Sequence, residues 1–393
     1  MKISEPEFTK EDNQIIYSVD VESKKGKEFL WYNLHESFGN LLSSSCDAPL
    51  VALLIPAMAV GEDIYIDGMI SGRLLYNLSG TFQILLQHII PSLNQVKIYP
   101  KDISGDGSKP APGVATGFSG GIDSYCVLAD HYYSSNTIKG FRVTHLLFNN
   151  VGSHGSSEKL FRERYKRLLP QAERLGLHFL MINTNIDFFY DNKLDFQKTH
   201  TLRNASVAYL LQRGIGRYMY ASSFSYLDTF IGPSNSMGYS DPITLPLLSS
   251  PSLDMLSVGS EDTRVEKIIR VAEIPDSYTT LDVCINPYHV GGYTNCSTCE
   301  KCLRTLVTLE IAEKLEHYSS SFNLDAYENC RDRFFTKLLA SHNPFHREIV
   351  QFANERNYSF PISFRNTRLN IFYPILTLLK LIMRKLKNVK NYF

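Results

Sequence analysis

The chain has 393 residues, 44% of them apolar, and its 40 basic residues balance 40 acidic ones for a formal net charge of zero. That composition can bury a full core plus an accessory domain or two, and it excludes both a disordered chain and a global field drawing the protein to nucleic acid. Of seven cysteines, Cys284, Cys296, Cys299 and Cys302 crowd into one short stretch while Cys46, Cys126 and Cys330 are scattered, a pattern that suggests metal more than disulfides in a reducing compartment.

The opening MKISEPEFTKEDNQ has neither an apolar core nor an arginine-rich amphipathic pattern, so no secretory or transit peptide is expected and the cytoplasm is the expected location. From Gln14 to about Ile103 the pattern is strand-like: QIIYSVDV, the apolar run PLVALLIPAMAV, IYIDGMISG with a turn at Asp67-Gly68, an amphipathic FQILLQHII and a strand VKIYP. Residues 1–104 read as a small α+β domain. The Gly-, Pro- and Ser-rich stretch ISGDGSKPAPG then marks a linker at 105–112.

Strands and helices alternate beyond it: GVATGF, a helix from about Asp123, FRVTHLLFNN, a helix from about Ser157 to Gly176, LHFLMINT, a helix from Leu202 to Arg213, and YMYASS. Short apolar strands separated by helical crossovers predict an α/β nucleotide-binding domain with a parallel sheet over 113–282. Phe224 to Pro251 reads as a loop, broken by Gly232-Pro233, Gly238, Asp241-Pro242 and Pro246, and such loops often carry substrate sites. A four-cysteine module follows at 283–305. Residues 306–393 read as a helical region, with helices near 303–317, 323–341 and 345–357.

The most informative residues are Gly117-Phe118-Ser119-Gly120-Gly121-Ile122-Asp123-Ser124, where a buried strand hands over to a helix. Two glycines let the backbone approach an anion, and the first free amides of the helix offer an N-terminal anion site. Ser119 and Ser124 can donate hydroxyl hydrogen bonds, and Asp123 can hold the Mg²⁺ that accompanies a polyphosphate. The loop lacks the lysine of GxxxxGK[ST] and is not a GxGxxG turn. Four soft ligands at Cys284, Cys296, Cys299 and Cys302 suit a tetrahedral Zn²⁺ with no open position, hence a structural site. An iron–sulfur cluster is the rival on spacing alone.

SGGIDS after a strand resembles the SGGxDS signature of the PP-loop ATP pyrophosphatases. Leu202-Arg203-Asn204 resembles the "RN" helix start of the deazaguanine and NAD synthetases, and a Cys followed by CxxCxxC resembles 7-cyano-7-deazaguanine synthases, in which four cysteines hold zinc. The resemblance spans roughly 113 to 305. It implies a Rossmann-like adenine nucleotide α-hydrolase (HUP) fold with an N-terminal α+β domain and a C-terminal zinc-bearing helical region. It further implies that Ser119, Gly120, Gly121, Ile122, Asp123 and Ser124 hold ATP. Phe148 at the second strand's end and Ser222 at the fourth's would lie beside the nucleotide, and Arg203 would neutralise phosphate charge. The implied reaction is adenylation of a small-molecule carboxylate, with Asp123, Ser119 and Arg203 as its catalytic residues and ATP, Mg²⁺ and Zn²⁺ as cofactors. Pyrophosphate is released, and ammonia or an amine then displaces AMP.

GPSNSMGYSDPITLPLLSS lacks the family's usual residues for the deazaguanine acid, so a different substrate is expected. Cys46 has no nucleophile-elbow context, which makes the N-terminal region unlike a glutaminase. The alternatives are a tRNA- or nucleobase-modifying enzyme, against which the neutral charge and lack of an RNA-binding module count, and a catalytically idle ATP- and zinc-binding partner module. Glu261, Asp262, Arg264, Glu266 and Lys267 read as a solvated helix face, and Cys126 as core. His154 and His200 are proton-carrier candidates whose alternative roles are structural. The apolar segment Leu369 to Lys387, broken by Pro374 and Lys380, is too short for a comfortable span. Docking on the protein's own core or in a homo-oligomer is expected for it, and a membrane-surface contact is the second reading.

Overall fold

The computed structural model describes residues 1–105, 109–153, 157–190, 194–286 and 292–361, and these divide into two units, Met1–Val283 and the part from Cys284 onward. The first unit opens with strands β1 (Lys2–Ile3), β2 (Glu7–Glu11), β3 (Gln14–Ser23) and β4 (Gly26–His35). Asp12 and Asn13 join β2 to β3 with φ of 46° and 62°, the left-handed pair that a two-residue hairpin turn demands and that Asp and Asn tolerate best after glycine. Along β3 the inward residues Ile15, Tyr17, Val19 and Val21 alternate with outward ones, the period-two pattern of a sheet with one covered face.

PLVALLIPAMAV is helical. Helix α1 (Asp47–Val60) is buried around nearly its whole circumference and stops at Gly61, whose φ of 64° makes it a left-handed cap. Unbroken apolarity fits a buried strand or a buried helix alike, and fourteen residues is helix length. Nor does the chain turn at Asp67-Gly68. β5 (Ile64–Ser71) continues through it, alternating as far as Ile70 and bulging against β6 between Ile66 and Met69, with Gly68 lying where a Cβ would strike Cys46 Sγ.

Helices α2 (Gly72–Leu78) and α3 (Thr81–Ile89) lead to β6 (Ile98–Ser104). There follow β7 (Gly113–Gly117), α4 (Ile122–Leu128), which continues as a π turn to Tyr133, β8 (His145–Asn150), α5 (Glu158–Arg174), β9 (His178–Thr184), α6 (Phe196–Leu210), β10 (Ile215–Ala221), α7 (Asp241–Leu247), β11 (Asp254–Val258) and α8 (Arg264–Val271). The strands form one large sheet in the order β11-β10-β7-β8-β9-β4-β3-β1-β5-β6, with β2 on β3. β11 through β9 are parallel neighbours, as are β1, β5 and β6, whereas β9-β4, β4-β3 and β3-β1 are antiparallel. The protein is thus α/β with a mostly parallel sheet, compatible with a Rossmann-like fold. Residues 1–104 are not set apart from 113–282: β4 pairs with β9 at Tyr32–Thr184 and Asn33–Asn183, and α1 packs on α6. The 105–112 stretch connects two strands of a single sheet, because Gly and Pro mark where the chain turns and carry no record of which edges later meet.

The second unit holds the cysteine cluster and helices α9 (Glu300–Ile311), α10 (Leu324–Leu339) and α11 (Pro344–Glu355), close to the three expected. Among the described residues no helix is long and apolar enough to cross a membrane. The segment Leu369 to Lys387 lies outside the described residues.

Candidate functional site

In the order β9-β8-β7-β10-β11, chain direction across the sheet reverses at β7, whose neighbours are β8 and β10. Crevices outside the carboxyl ends of such strands are where open α/β sheets bind ligands. The turn Ser119–Gly121 occupies that point, between β7 and α4. Phe118 N–H still bonds Leu147 O at 2.8 Å, so the strand ladder ends and the loop begins at Ser119.

Gly120 has φ of 74°, and a Cβ there would come within 2.8 Å of Leu168 and 3.2 Å of Thr280 O. A side chain is therefore excluded by backbone conformation and by space alike. Asp282 N–H closes onto Gly120 O at 2.8 Å, and Arg167 on α5 ion-pairs with the Asp282 carboxylate. Ser119 is exposed, whereas Ile122 and Ser124 are buried, the Ser124 hydroxyl donating to Gly121 O at 2.9 Å.

Asp123, expected to hold Mg²⁺, is ion-paired. Arg264 approaches its carboxylate at 2.7 Å and Lys267 at 3.5 Å. A Mg²⁺ arriving with ATP would compete with both cations for that carboxylate. Both cations come from α8, the segment read as a solvated face. Lys267 is instead 1% exposed, its ammonium donating to Ser222 O at 2.6 Å, while Arg264 donates to Ser223 O at 3.0 Å. The capping box of Thr263 and Glu266 starts α8 at the carboxyl end of β11 and directs these side chains to the loop. Sequence reasoning missed them because β11 went unrecognised: DMLSV is five residues long and half-exposed.

Arg203 lies in the middle of α6, not at a helix start, because the helix begins at Phe196 under the Asp195 cap, and it is 1% exposed. Its guanidinium donates to Thr199 Oγ1 at 2.8 Å, Val151 O at 3.0 Å and Leu194 O at 3.2 Å, ion-pairs with Asp187, and stacks over the Tyr190 ring at 3.9 Å. These contacts tie the chain after β8 and the chain after β9 to α6. Phe148 points into an aromatic core, parallel to Phe161 at 5.2 Å. Ser222 is buried beside the loop, its hydroxyl linked to Ser260 at 2.8 Å. His200 bonds the Tyr220 hydroxyl at 2.6 Å, and burial lowers its imidazole to about 4, so it is a neutral buried ring at pH 7. His154 lies outside the described residues. Burial pushes the thiols of Cys46 and Cys126 up to about 12, which keeps both inert.

The arrangement around β7 thus offers a glycine-shaped turn, backbone amides at a helix start, and two cations held by Asp123. Comparison with protein-family models, with curated proteins and with solved structures gives no match. What the site can do rests on its own chemistry.

The cysteine cluster is the second site. The four sulfurs lie within 4.8 Å of one another, with separations of 4.0 Å for Cys284–Cys299, 3.9 Å for Cys296–Cys302 and 3.4 Å for Cys299–Cys302. A tetrahedral ion with Zn–S bonds of about 2.3 Å places sulfurs roughly 3.8 Å apart, so the four residues could hold a metal such as zinc. Backbone amides already point at the sulfurs: Asn286 and Cys296 donate to Cys284 Sγ at 3.3 and 3.5 Å, and Cys299 to Cys296 Sγ at 3.4 Å. Ser297, at φ 62°, makes the tight turn that allows this. The contact between them lowers the Cys299 thiol and raises that of Cys302, as expected where crowded sulfurs cannot all lose their protons.

Proposed function

We propose that the protein is an ATP pyrophosphatase of the PP-loop kind, which activates a small-molecule carboxylate as its adenylate and carries a structural zinc. The observation that supports this best is the position of Ser119-Gly120-Gly121-Ile122-Asp123-Ser124 at the point where strand order reverses, facing Arg264 and Lys267. Amides of the loop and of the start of α4 would bind the β and γ phosphates. Lys267 and Arg264, released from Asp123, would take up the charge of the leaving pyrophosphate, preorganised cations in a partly dry site being the strongest stabilisers available.

A carboxylate oxygen of the substrate attacks the α phosphorus, the bond to the β-phosphate bridging oxygen breaks, and pyrophosphate departs with the electron pair. Ammonia or an amine then attacks the acyl carbon and AMP leaves, giving an amide or a conjugate. An ionised carboxylate needs no general base for this attack.

The test is to incubate the protein with ATP, Mg²⁺ and a small-metabolite extract and to quantify AMP plus pyrophosphate against ADP plus phosphate. Extract-dependent AMP and pyrophosphate, lost in Lys267→Met, is the expected result. ADP and phosphate as the wild-type products would refute the reaction class, and ATP binding without turnover in any extract would favour an idle partner module.

A further inference from the structure

The chain that leaves β10 is rooted at the phosphate loop. Lys267 reaches the Asp123 carboxylate at 3.5 Å and Ser222 O at 2.6 Å, so those two groups lie within about 6 Å of each other. Arg264 joins Asp123 to Ser223 O in the same way. Ser260 then holds the next turn at both ends, its hydroxyl donating to Ser222 Oγ at 2.8 Å and its carbonyl accepting from Tyr226 N–H at 2.6 Å. Asp228 N–H closes on Ser225 O at 3.0 Å, and the Ser225 hydroxyl donates to the Asp228 carboxylate at 3.0 Å. The short helical turn Tyr226–Asp228 is thus fixed near the crevice, since four residues of chain carry Tyr226 no further than roughly 14 Å from Ser222.

This fixed turn presents apolar side chains to water. Leu227 is 91% exposed, Tyr226 57% and Phe230 42%. Phe230 is backed by Tyr239 with ring centroids 5.1 Å apart, and Tyr239 in turn by Phe224 at 3.7 Å, so a ligand meets the outer side of this pile and enters no gap between rings. Large apolar side chains grouped in water beside a crevice mark a binding surface.

Charge narrows the ligand. Lysine and arginine make up 40 of the 393 residues, yet residues 218–263 contain no lysine, arginine or histidine while carrying Asp228, Asp241, Asp254, Glu261 and Asp262. The cations at the root of the segment, Arg264 and Lys267, lie with Asp123 at the phosphate loop. A second carboxylate or a phosphate on the substrate would leave water against apolar side chains with no cation from this segment to meet it.

We propose that the acid activated at the phosphate loop is a monocarboxylate with an uncharged, apolar body that lies against Tyr226, Leu227 and Phe230. The proposal rests on the adenylating reading of the loop and narrows its substrate class. The carboxylate goes to the α phosphate, and burial of the apolar body supplies the binding energy that holds it there.

Octanoate and suberate have the same chain length and differ only in a terminal methyl against a second carboxylate, which makes them the probes. Acid-dependent ATP–pyrophosphate exchange is measured with the full chain at pH 7.5, with a small-metabolite extract run in parallel. Octanoate should support saturable exchange with kcat/KM about a hundredfold above that of suberate. Leu227→Arg, at a position too exposed for folding to need it, should lower kcat/KM for octanoate about tenfold, raise it for suberate, and leave the KM for ATP unchanged. Suberate equal to octanoate, or octanoate silent while the extract supports exchange, would overturn the proposal and leave the reaction class standing. An octanoate preference unmoved by Leu227→Arg would take the substrate away from this turn and overturn it as well. No exchange with either acid or the extract would overturn the reaction class, and the proposal with it.

Discussion

Withholding metal from the cysteine cluster, which could hold zinc, is the sharpest perturbation the structure suggests. Three sulfur separations, 3.4 to 4.0 Å, bracket the roughly 3.8 Å of a tetrahedral zinc–thiolate site, so occupancy should require little rearrangement. Structural zinc binds such sets with an apparent roughly 10 to 16 kcal/mol at neutral pH. Even at a free zinc level only a thousand times its dissociation constant, linkage gives about 4 kcal/mol of stabilisation. For a unit of this size each kcal/mol moves the midpoint by about 4 to 8 °C, so a strong chelator should lower the melting transition of the second unit by more than about 15 °C. The assay is differential scanning calorimetry before and after chelation, with elemental analysis of the purified protein and Cys302→Ser as the genetic counterpart. One zinc per chain is expected, with the transition restored by zinc. A brown protein absorbing near 400 nm would replace zinc by an iron–sulfur cluster, and a metal-free protein whose melting ignores zinc would refute the reasoning.

Three further outcomes are expected. Lys267→Met should lower kcat/KM for pyrophosphate release about a hundredfold, the size of loss seen when one preorganised charge-stabilising donor is removed, with the fold intact by circular dichroism. Arg203→Met, which leaves Val151 O, Leu194 O and Thr199 without their donor, should cost about 3 kcal/mol in urea unfolding while leaving the ATP KM of the folded fraction unchanged. Asp241 is 1% exposed with Thr201 Oγ1 donating at 2.6 Å, and burial raises its carboxyl to about 7. The folded state then holds a proton the unfolded state has lost, so its contribution to stability falls as pH rises from about 4 to about 7. Asp241→Asn should flatten that fall by up to about 1.4 kcal/mol per pH unit, read from unfolding curves at pH 4.5, 6 and 7.5; parallel wild-type and variant profiles would refute it.

The parallel half of the sheet was legible because β7 to β10 are short apolar runs bounded by Gly, Asn and Ser, and the loop was legible because Ser119-Gly120-Gly121 has a local physical meaning. The cysteine spacing was equally local. What sequence could not supply was pairing between distant edges: nothing in Tyr32 or Thr184 says that they meet. α1 was misread because a uniformly apolar run has no period. Arg203 carried the expectation of a phosphate ligand, and its burial was not legible, since its partners Val151 O and Leu194 O are backbone atoms that no side-chain pattern reveals. Arg264 and Lys267 were dismissed as surface because charged residues beside an apolar stretch usually are, and only the position of β11 turns that helix toward the loop.

The join between β4 and β9 also fixes an order of events during synthesis. β4 finds its outer neighbour about 150 residues later in the chain, at Asn183 and Thr184. At roughly 5 to 20 residues per second of translation, the N-terminal strands wait on the order of 10 to 30 s with one edge open. Contacts of such separation are also slow to form once both partners exist. β4 is mostly exposed over its first residues, with Lys27 and Glu28 at its start, and charged side chains on an open edge discourage pairing with another nascent chain. A sheet joined in this way leaves an unfinished half-sheet for the cell to guard, and substitutions of Lys27 or Glu28 by apolar residues should reduce the yield of folded protein from the ribosome more than they change the finished molecule.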